Sequence, residues 1–206
     1  FIKAGLAKKC LIIGSETLSR VVDPYDRDSM IYSDGAGACV LEANNKKNKG
    51  IISYADQSYT FEEAYFLFYG SSYNPNETQT TNYIKMHGRK IYEFALNNVP
   101  LAMKAAVDKS KIHINQIKKI LIHQANEKMD EAIIERFYKL YNIEMPEGIM
   151  PMSIHKLGNS SVATVPTLFD LILNGKLKNH EINQGDIILL ASVGAGMNIN
   201  AIVYQY

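Results

Sequence analysis

His123 follows the apolar run Ile120-Leu121-Ile122 and is itself followed at once by Gln124, Ala125 and Asn126, after which apolar residues recur at helical spacing. An imidazole and carboxamides therefore stand where a buried strand gives way to a helix. Both groups carry N–H donors suited to holding an electron-rich oxygen. Two other stretches have comparable content. Asn159 lies in Gly158-Asn159-Ser160-Ser161 at the entrance to an apolar helix, and Gly194-Ala195-Gly196 joins two apolar strands. In α/β sheets, binding groups collect beyond the carboxyl ends of strands, so these three elements can converge on one spot. Each stretch also has a structural explanation of its own. A histidine after a strand can be satisfied by a backbone carbonyl, Asn and Ser oxygens cap helices, and Gly-Ala-Gly makes a tight turn. Cys39, between Ala38 and Val40, reads as a small buried hydrophobe in mid-strand. Cys10 gives no better case for a nucleophile, and His87, His113, His155 and His180 are scattered without metal-ligand spacing.

The elements that must position these groups follow from pattern. "FIKAGLAKK" reads as the last turn of a helix closed by Gly5, which implies a segment upstream of Phe1. Residues 9–16 form a short apolar run and predict a buried strand. Residues 21–35 are turn-rich, and 35–43 and 50–59 are strands joined by the polar loop "NNKKNK". The aromatic-rich stretch 60–86 is a partly buried insertion. A helix begins near Gly88 with Ile91, Phe94 and Ala95 on one face, and Pro100 marks a break and the first turn of a second helix. Residues 118–123 are a strand. Met129, Ile133, Phe137 and Leu140 then recur as one helical face, and 157–175 is a polar turn leading into an apolar helix that ends at Gly175. In the last strand Met197, Ile199, Ala201 and Val203 share a face. The alternation predicts α/β layers around a mixed sheet. A helix closed by Gly, a strand, a turn and a second strand occur at 1–43 and again at 166–206, a faint internal repeat.

Composition sets bounds. With 206 residues, 47% hydrophobic and 21% charged, the chain can bury a sizeable core. A net charge of +1 gives no footprint for nucleic acid. No apolar run reaches the length of a membrane span, and nothing in these residues looks like a signal peptide. The two cysteines make no disulfide framework, and a reducing, cytoplasmic setting is expected.

Taken together, "LIIGSETLSRVVDPYDRDSMIYSDGAGACVLEA", "MHGRKIYEFAL", "LIHQAN", "LGNSSVATVPTLFDLIL" and "ASVGAGMNINAIVYQY" resemble 3-oxoacyl-[acyl-carrier-protein] synthase III, the initiating condensing enzyme of fatty-acid synthesis, in order along nearly the whole chain. The resemblance implies a thiolase-like layered α/β/α/β/α fold, here the end of the N-terminal half (1–60), the insertion (61–87) and the C-terminal half (88–206). It implies a catalytic set of a cysteine upstream of Phe1, His123 and Asn159, with the Ala195 backbone N–H as an oxyanion donor. It places Arg27, Met86, Gly88, Ala125 and Asn126 against the pantetheine arm and nucleotide of coenzyme A, and Lys128 against an acidic carrier protein. Bland alternatives are a solvated Arg27 paired with Asp26 or Asp28, and an exposed Lys128 beside Glu127. The substrates implied are acyl-CoA and malonyl-acyl carrier protein with its phosphopantetheine. No cofactor is permanently bound and no metal, nucleic acid or membrane is involved; the assembly implied is a homodimer.

The chain departs from the family pattern at Tyr32-Ser33, at Val193 before the glycine turn, and in having no Trp. These changes bear on acyl specificity and coenzyme A contacts, not on His123 or Asn159. Without its cysteine the chain is expected to be inactive alone. The competing readings are a thiolase-fold acyltransferase of secondary metabolism and a non-catalytic partner subunit.

Overall fold

A four-stranded mixed sheet organises the chain, and each of its faces is closed by helices whose apolar spacing matches it. The computed structural model describes residues 1–44, 49–78 and 80–206. In chain order the elements are β1 (Lys9–Thr17), β2 (Asp34–Glu42), β3 (Gly50–Ser58), β4 (Leu67–Ser71), β5 (Asn82–Met86), α1 (Gly88–Ser110), β6 (Ile117–Ile122), α2 (Glu127–Lys139), α3 (Ile154–Leu157), α4 (Thr164–Leu173), β7 (Ile187–Gly194) and β8 (Asn198–Gln205). The central sheet runs β3-β8-β7-β6. Its β6 and β7 are parallel, and β8 is antiparallel to both β7 and β3. The first strand of this sheet, β3, lies within residues 1–60 of the sequence reading and hydrogen-bonds along its length to β8.

One face of the sheet presents Met197, Ile199, Ala201 and Val203, all buried as their alternation predicts. They pack with Val99, Ala102, Met103 and Ala106 of α1 and Ile133 and Phe137 of α2 in one core. The opposite face buries Leu121 and Ile188 against Leu168 and Ile172 of α4. Helix α4 also touches β2, so it lies between the four-stranded sheet and the β1–β2 pair. A helix covered on two sides needs apolar residues around most of its girth, which "TVPTLFDLIL" supplies.

The repeat is visible in the backbone. Leu6 N–H bonds Phe1 C=O and Gly5 N–H bonds Ile2 C=O, with Gly5 at φ +73. Lys176 N–H bonds Leu171 C=O and Gly175 N–H bonds Ile172 C=O, with Gly175 at φ +64. Both are the same paired closure of a helix end. Each precedes an antiparallel strand pair, β1–β2 and β7–β8.

Several expectations need correction. The run 9–16 is a strand but not a buried one: Leu11, Ile13 and Val40 are 64%, 63% and 62% exposed. Among the described residues β1 and β2 pair only with each other, and what packs on them is mainly α4 and residues 161–163. Cys39 is likewise exposed, not buried. Leu140 caps α2 and is 39% exposed, outside the buried face of Met129, Ile133 and Phe137.

Pro100 does not break the helix. Helix α1 runs unbroken through it, and the Leu96 carbonyl that Pro100 leaves without its N–H accepts from Arg136 Nη1 at 3.1 Å. The aromatic insertion contains a regular hairpin, β4–β5, with Phe66 and Leu67 against the core and Phe61, Tyr65 and Tyr69 exposed. Of the loop "NNKKNK", residues 45–48 lie outside the described residues.

Candidate active site

Strand β6 carries His123 to the edge of the core. The His123 N–H still bonds Ala191 C=O at 2.9 Å, so its backbone continues the sheet ladder while its ring projects past it. The two amides after it are braces. Gln124 is fully buried; its Nε2 donates to Ile122 C=O at 3.1 Å and its Oε1 accepts from Ser153 N–H at 2.7 Å. Asn126 caps α2, its Oδ1 accepting from Met129 N–H at 3.2 Å. Asp130 is buried on the first turn of α2. Burial raises its carboxyl well above the ordinary carboxylate range, and the N–H groups of Asn126 and Ala125 only partly offset this.

Asn159 is fixed by its backbone and its side chain. Its N–H bonds Ile31 C=O at 2.7 Å and its C=O accepts from Ser33 N–H at 2.9 Å. Its Oδ1 accepts from Ser161 N–H at 2.9 Å. A backbone N–H can meet only an acceptor, so this bond assigns the amide orientation and leaves Nδ2 as the free donor end. Ser161 itself stands at φ +54, an uncommon conformation for a residue with a side chain.

Glycines in β1 and β2 let this segment approach. A Cβ on Gly35 would lie 2.7 Å from Ser160 Cβ, and one on Gly37 would lie 2.5 Å from Pro166 Cγ. The "GAGA" stretch is therefore a flat seat for residues 160–166.

At the third element, Asn198 Nδ2 donates to Ala195 C=O at 2.7 Å and folds the turn after β7. Gly196 takes φ +119, whereas Ala195 has no positive φ, so the alanine sits where a side chain is tolerated.

These elements enclose one cavity of about 740 Å³. His123, Asn159 and Ala195 line it, as do Met86, Gly88, Ala125 and Asn126. Tyr32 lines it too, with its hydroxyl 3.8 Å from Met86 Sδ. Burial, then the charges of Asp28 and Asp26, push the Tyr32 phenol up to about 12, so it stays a hydrogen-bond donor. Arg27 and Lys128 lie outside the cavity, both exposed. Arg27 pairs with neither acid beside it: Asp26 binds Lys85 at 3.2 Å and accepts from Asp28 N–H. Neither Cys10 nor Cys39 lines the cavity. Among the described residues no three His, Cys, Asp or Glu are placed to hold a metal ion, and no helix is long and apolar enough to cross a membrane.

Burial lowers the His123 pKa to about 4, opposed by the Ser161 carbonyl, so the ring is neutral at ordinary pH. His123 Nδ1 lies 2.7 Å from Thr164 Oγ1, which lies 2.9 Å from Ser161 C=O. Sequence reasoning missed Ser161, Thr164 and Asp130. Asp130, an acid beside the apolar stripe of α2, was the one with a visible signal.

The layers, α1 and α2 over a mixed sheet with α4 between it and a second strand pair, are those of the thiolase-like α/β fold. The chain superposes on 3-oxoacyl-[acyl-carrier-protein] synthase III from Aquifex aeolicus with a TM-score of 0.80 at 28% identity, covering 100% of this chain and 60% of that one. On β-ketoacyl-[acyl carrier protein] synthase III from Thermus thermophilus the TM-score is 0.84 at 27% identity, covering 100% and 61%. Residues 1–59 match the family described as 3-oxoacyl-[acyl-carrier-protein (ACP)] synthase III, and residues 99–206 match its C-terminal part. The chain belongs to this family. It is 31% identical over 205 residues to a β-ketoacyl-[acyl-carrier-protein] synthase III of Levilactobacillus brevis, covering 97% of this chain and 59% of the relative. A relative of the same name from Ehrlichia ruminantium is 32% identical over 202 residues, covering 96% and 58%. The chain thus spans somewhat under two thirds of the length of these relatives.

Proposed function

We propose that the chain is part of a decarboxylating condensing enzyme that joins an acyl group from acyl-CoA to malonyl-acyl carrier protein, giving 3-oxoacyl-acyl carrier protein for fatty-acid synthesis. The observation that carries this reading is the meeting of His123 and Asn159 on one cavity wall system, joined through Ser161.

In this reading the acyl group is first held as a thioester on a cysteine that these residues do not provide, so the chain by itself makes no 3-oxoacyl product. The malonyl thioester then loses carbon dioxide, and negative charge grows on its thioester oxygen. The imidazole N–H of His123 and the Nδ2–H of Asn159 donate to that oxygen, in a largely apolar cavity where such bonds count for more than in water. The carbanion attacks the acyl thioester carbon, whose oxygen the Ala195 N–H receives; the C–S bond then breaks and the cysteine leaves as a thiolate. Met86, Gly88, Ala125 and Asn126 line the path of the pantetheine arm, which coenzyme A and the carrier protein share. Arg27 meets the nucleotide of coenzyme A at the exposed rim. Lys128, exposed on the first turn of α2, meets the acidic carrier protein. The working protein is a cytoplasmic homodimer with no permanently bound cofactor. Residues 1–60 contribute the end of its N-terminal half, 61–87 an insertion and 88–206 its C-terminal half, with β3 crossing to the sheet of the latter.

The test is product analysis by mass spectrometry on the intact protein supplied with acyl-CoA and malonyl-acyl carrier protein. The expected result is carbon dioxide release together with a carrier-bound 3-oxoacyl chain. Ester or free-acid products without carbon dioxide would assign the site to another acyl transfer.

A further inference from the structure

A neutral imidazole has one N–H, and where it sits decides what His123 can do. Its Nδ1 is occupied by Thr164, so Nε2 is the ring nitrogen left for a ligand in the cavity. With the proton on Nδ1, Nε2 would offer a lone pair; with Nδ1 bare, Nε2 would offer an N–H. The choice falls to the Thr164 hydroxyl, which has one proton and two acceptors in reach: His123 Nδ1 at 2.7 Å and Ser161 C=O at 2.9 Å.

The two acceptors are not equivalent. Ser161 C=O already accepts the backbone N–H of Thr164, so it loses little when the hydroxyl turns away. Nδ1 has no other donor among the described residues. Thr164 is only 4% exposed, so its hydroxyl is left mainly to these two partners. The shorter contact is also the one to the ring.

We propose that Thr164 donates its hydroxyl proton to His123 Nδ1 and so fixes the ring as the Nε2–H tautomer, making Thr164 the positioning residue of the cavity's imidazole donor. Without that hydroxyl, no donor faces Nδ1 among the described residues, and the Ser161 carbonyl beside the ring can accept and never donate. The ring then takes the Nδ1–H form and turns a lone pair toward the cavity. The tautomer is independent of any activity; only its kinetic consequence rests on the proposed condensing function.

The test is long-range 15N–1H NMR of the histidine rings in the intact protein, with His123 assigned by its loss in His123→Ala. Wild type and Thr164→Ser are expected to show a protonated Nε2 and a bare Nδ1, and Thr164→Val the reverse. A wild-type ring protonated at Nδ1, or a Thr164→Val ring still protonated at Nε2, overturns the proposal. If Thr164→Val does not fold, the wild-type spectrum alone still decides between the two tautomers. In parallel, Thr164→Val is expected to slow malonyl decarboxylation on the order of a hundredfold with KM little changed, and Thr164→Ser to restore it. A tautomer that reverses with no loss of rate leaves the assignment standing and removes His123 from the proposed reaction.

Discussion

His123 and Asn159 are tied to each other through the backbone of one residue. The Ser161 N–H donates to Asn159 Oδ1 at 2.9 Å, its carbonyl accepts the Thr164 N–H, and Thr164 Oγ1 lies 2.7 Å from His123 Nδ1. The imidazole on the β6 exit and the amide beside Tyr32 therefore share a support that faces both. The αL conformation of Ser161, φ +54, aims its N–H and its carbonyl at these two partners.

The two donors proposed for one oxygen give a separable kinetic signature. His123→Ala and Asn159→Ala in the intact protein are each expected to slow malonyl decarboxylation on the order of a hundredfold or more. Loading of the acyl group onto the thiol should change far less, because that step does not build charge on the malonyl oxygen. Radiolabel release from malonyl carrier protein measures the first step, and acyl-protein mass the second. Equal losses in both would remove the donor role.

The His123 ring is neutral because burial pulls its pKa down to about 4. Its resonances are expected to stay fixed from pH 8 to pH 5, across the range where an unperturbed imidazole would titrate. The sign for stability follows from the depressed folded value. The contribution is complete above about pH 6.5 and is lost as pH falls toward 4. A His123 titration midpoint at 6 or above would show the ring to be solvated.

Asn159 reaches the cavity only because its neighbours lie flat on β2. Gly35→Ala puts a methyl group 2.7 Å from Ser160 Cβ, and overpacking of this kind costs about 1–3 kcal/mol. Malonyl decarboxylation is expected to fall while acyl-CoA binding changes less, since Met86 and Gly88 lie on β5 and α1. Unchanged decarboxylation would mean that the seat does not position Asn159.

How much of this was legible depended on whether a residue's role was local. The β6–His123–α2 junction, the alternating face of β8 and the glycine closures follow from pattern along the chain, and the structure has them. The exposure of β1 and Cys39 was not legible, because a continuous apolar run signals burial without saying which neighbours supply it. Pro100 misled for a related reason. The partner that satisfies the freed carbonyl, Arg136, lies on another helix. Thr164 carries no signal of its own along the chain, and only the fold sets it beside His123.

The Pro100 rescue can be weighed by a double-mutant cycle. Arg136 Nη1 donates to Leu96 C=O at 3.1 Å and to Asn97 Oδ1 at 2.9 Å. Arg136→Ala is expected to cost about 1 kcal/mol, modest because the guanidinium is partly solvated. Replacing Pro100 by Ala restores the helical N–H to Leu96, so Arg136→Ala should cost less in that background. Equal costs in both backgrounds, measured by urea unfolding, would show that the carbonyl does not depend on the arginine.

The wall of the cavity that carries Met86 rests on a buried ion pair. Lys85 Nζ lies 2.5 Å from Asp23 Oδ2 and 3.2 Å from Asp26 Oδ2, and the Lys85 and Asp23 side chains are almost wholly excluded from water. Burial by itself would raise the Asp23 carboxyl. The bonds from Lys85, the N–H groups of Tyr73 and Tyr25 and the Ser72 hydroxyl outweigh it and hold that carboxyl well below the usual range. For Lys85, burial pulls the pKa down, but Asp23 and Asp26 more than restore it.

A depressed carboxylate contributes stability above its unfolded pKa of about 3.9, and a raised lysine contributes below its unfolded value of about 10.4. The network is therefore at full strength between those limits. Its contribution is lost on the acid side as pH falls through the folded Asp23 value. Removing one partner of a buried pair costs about 3–5 kcal/mol. Lys85→Met is thus expected to unfold at lower temperature than wild type at pH 7, with the gap narrowing below pH 4 as Asp23 takes a proton. A gap that stays constant from pH 7 to pH 2 would show that the pair's charge contributes nothing and that only its packing matters.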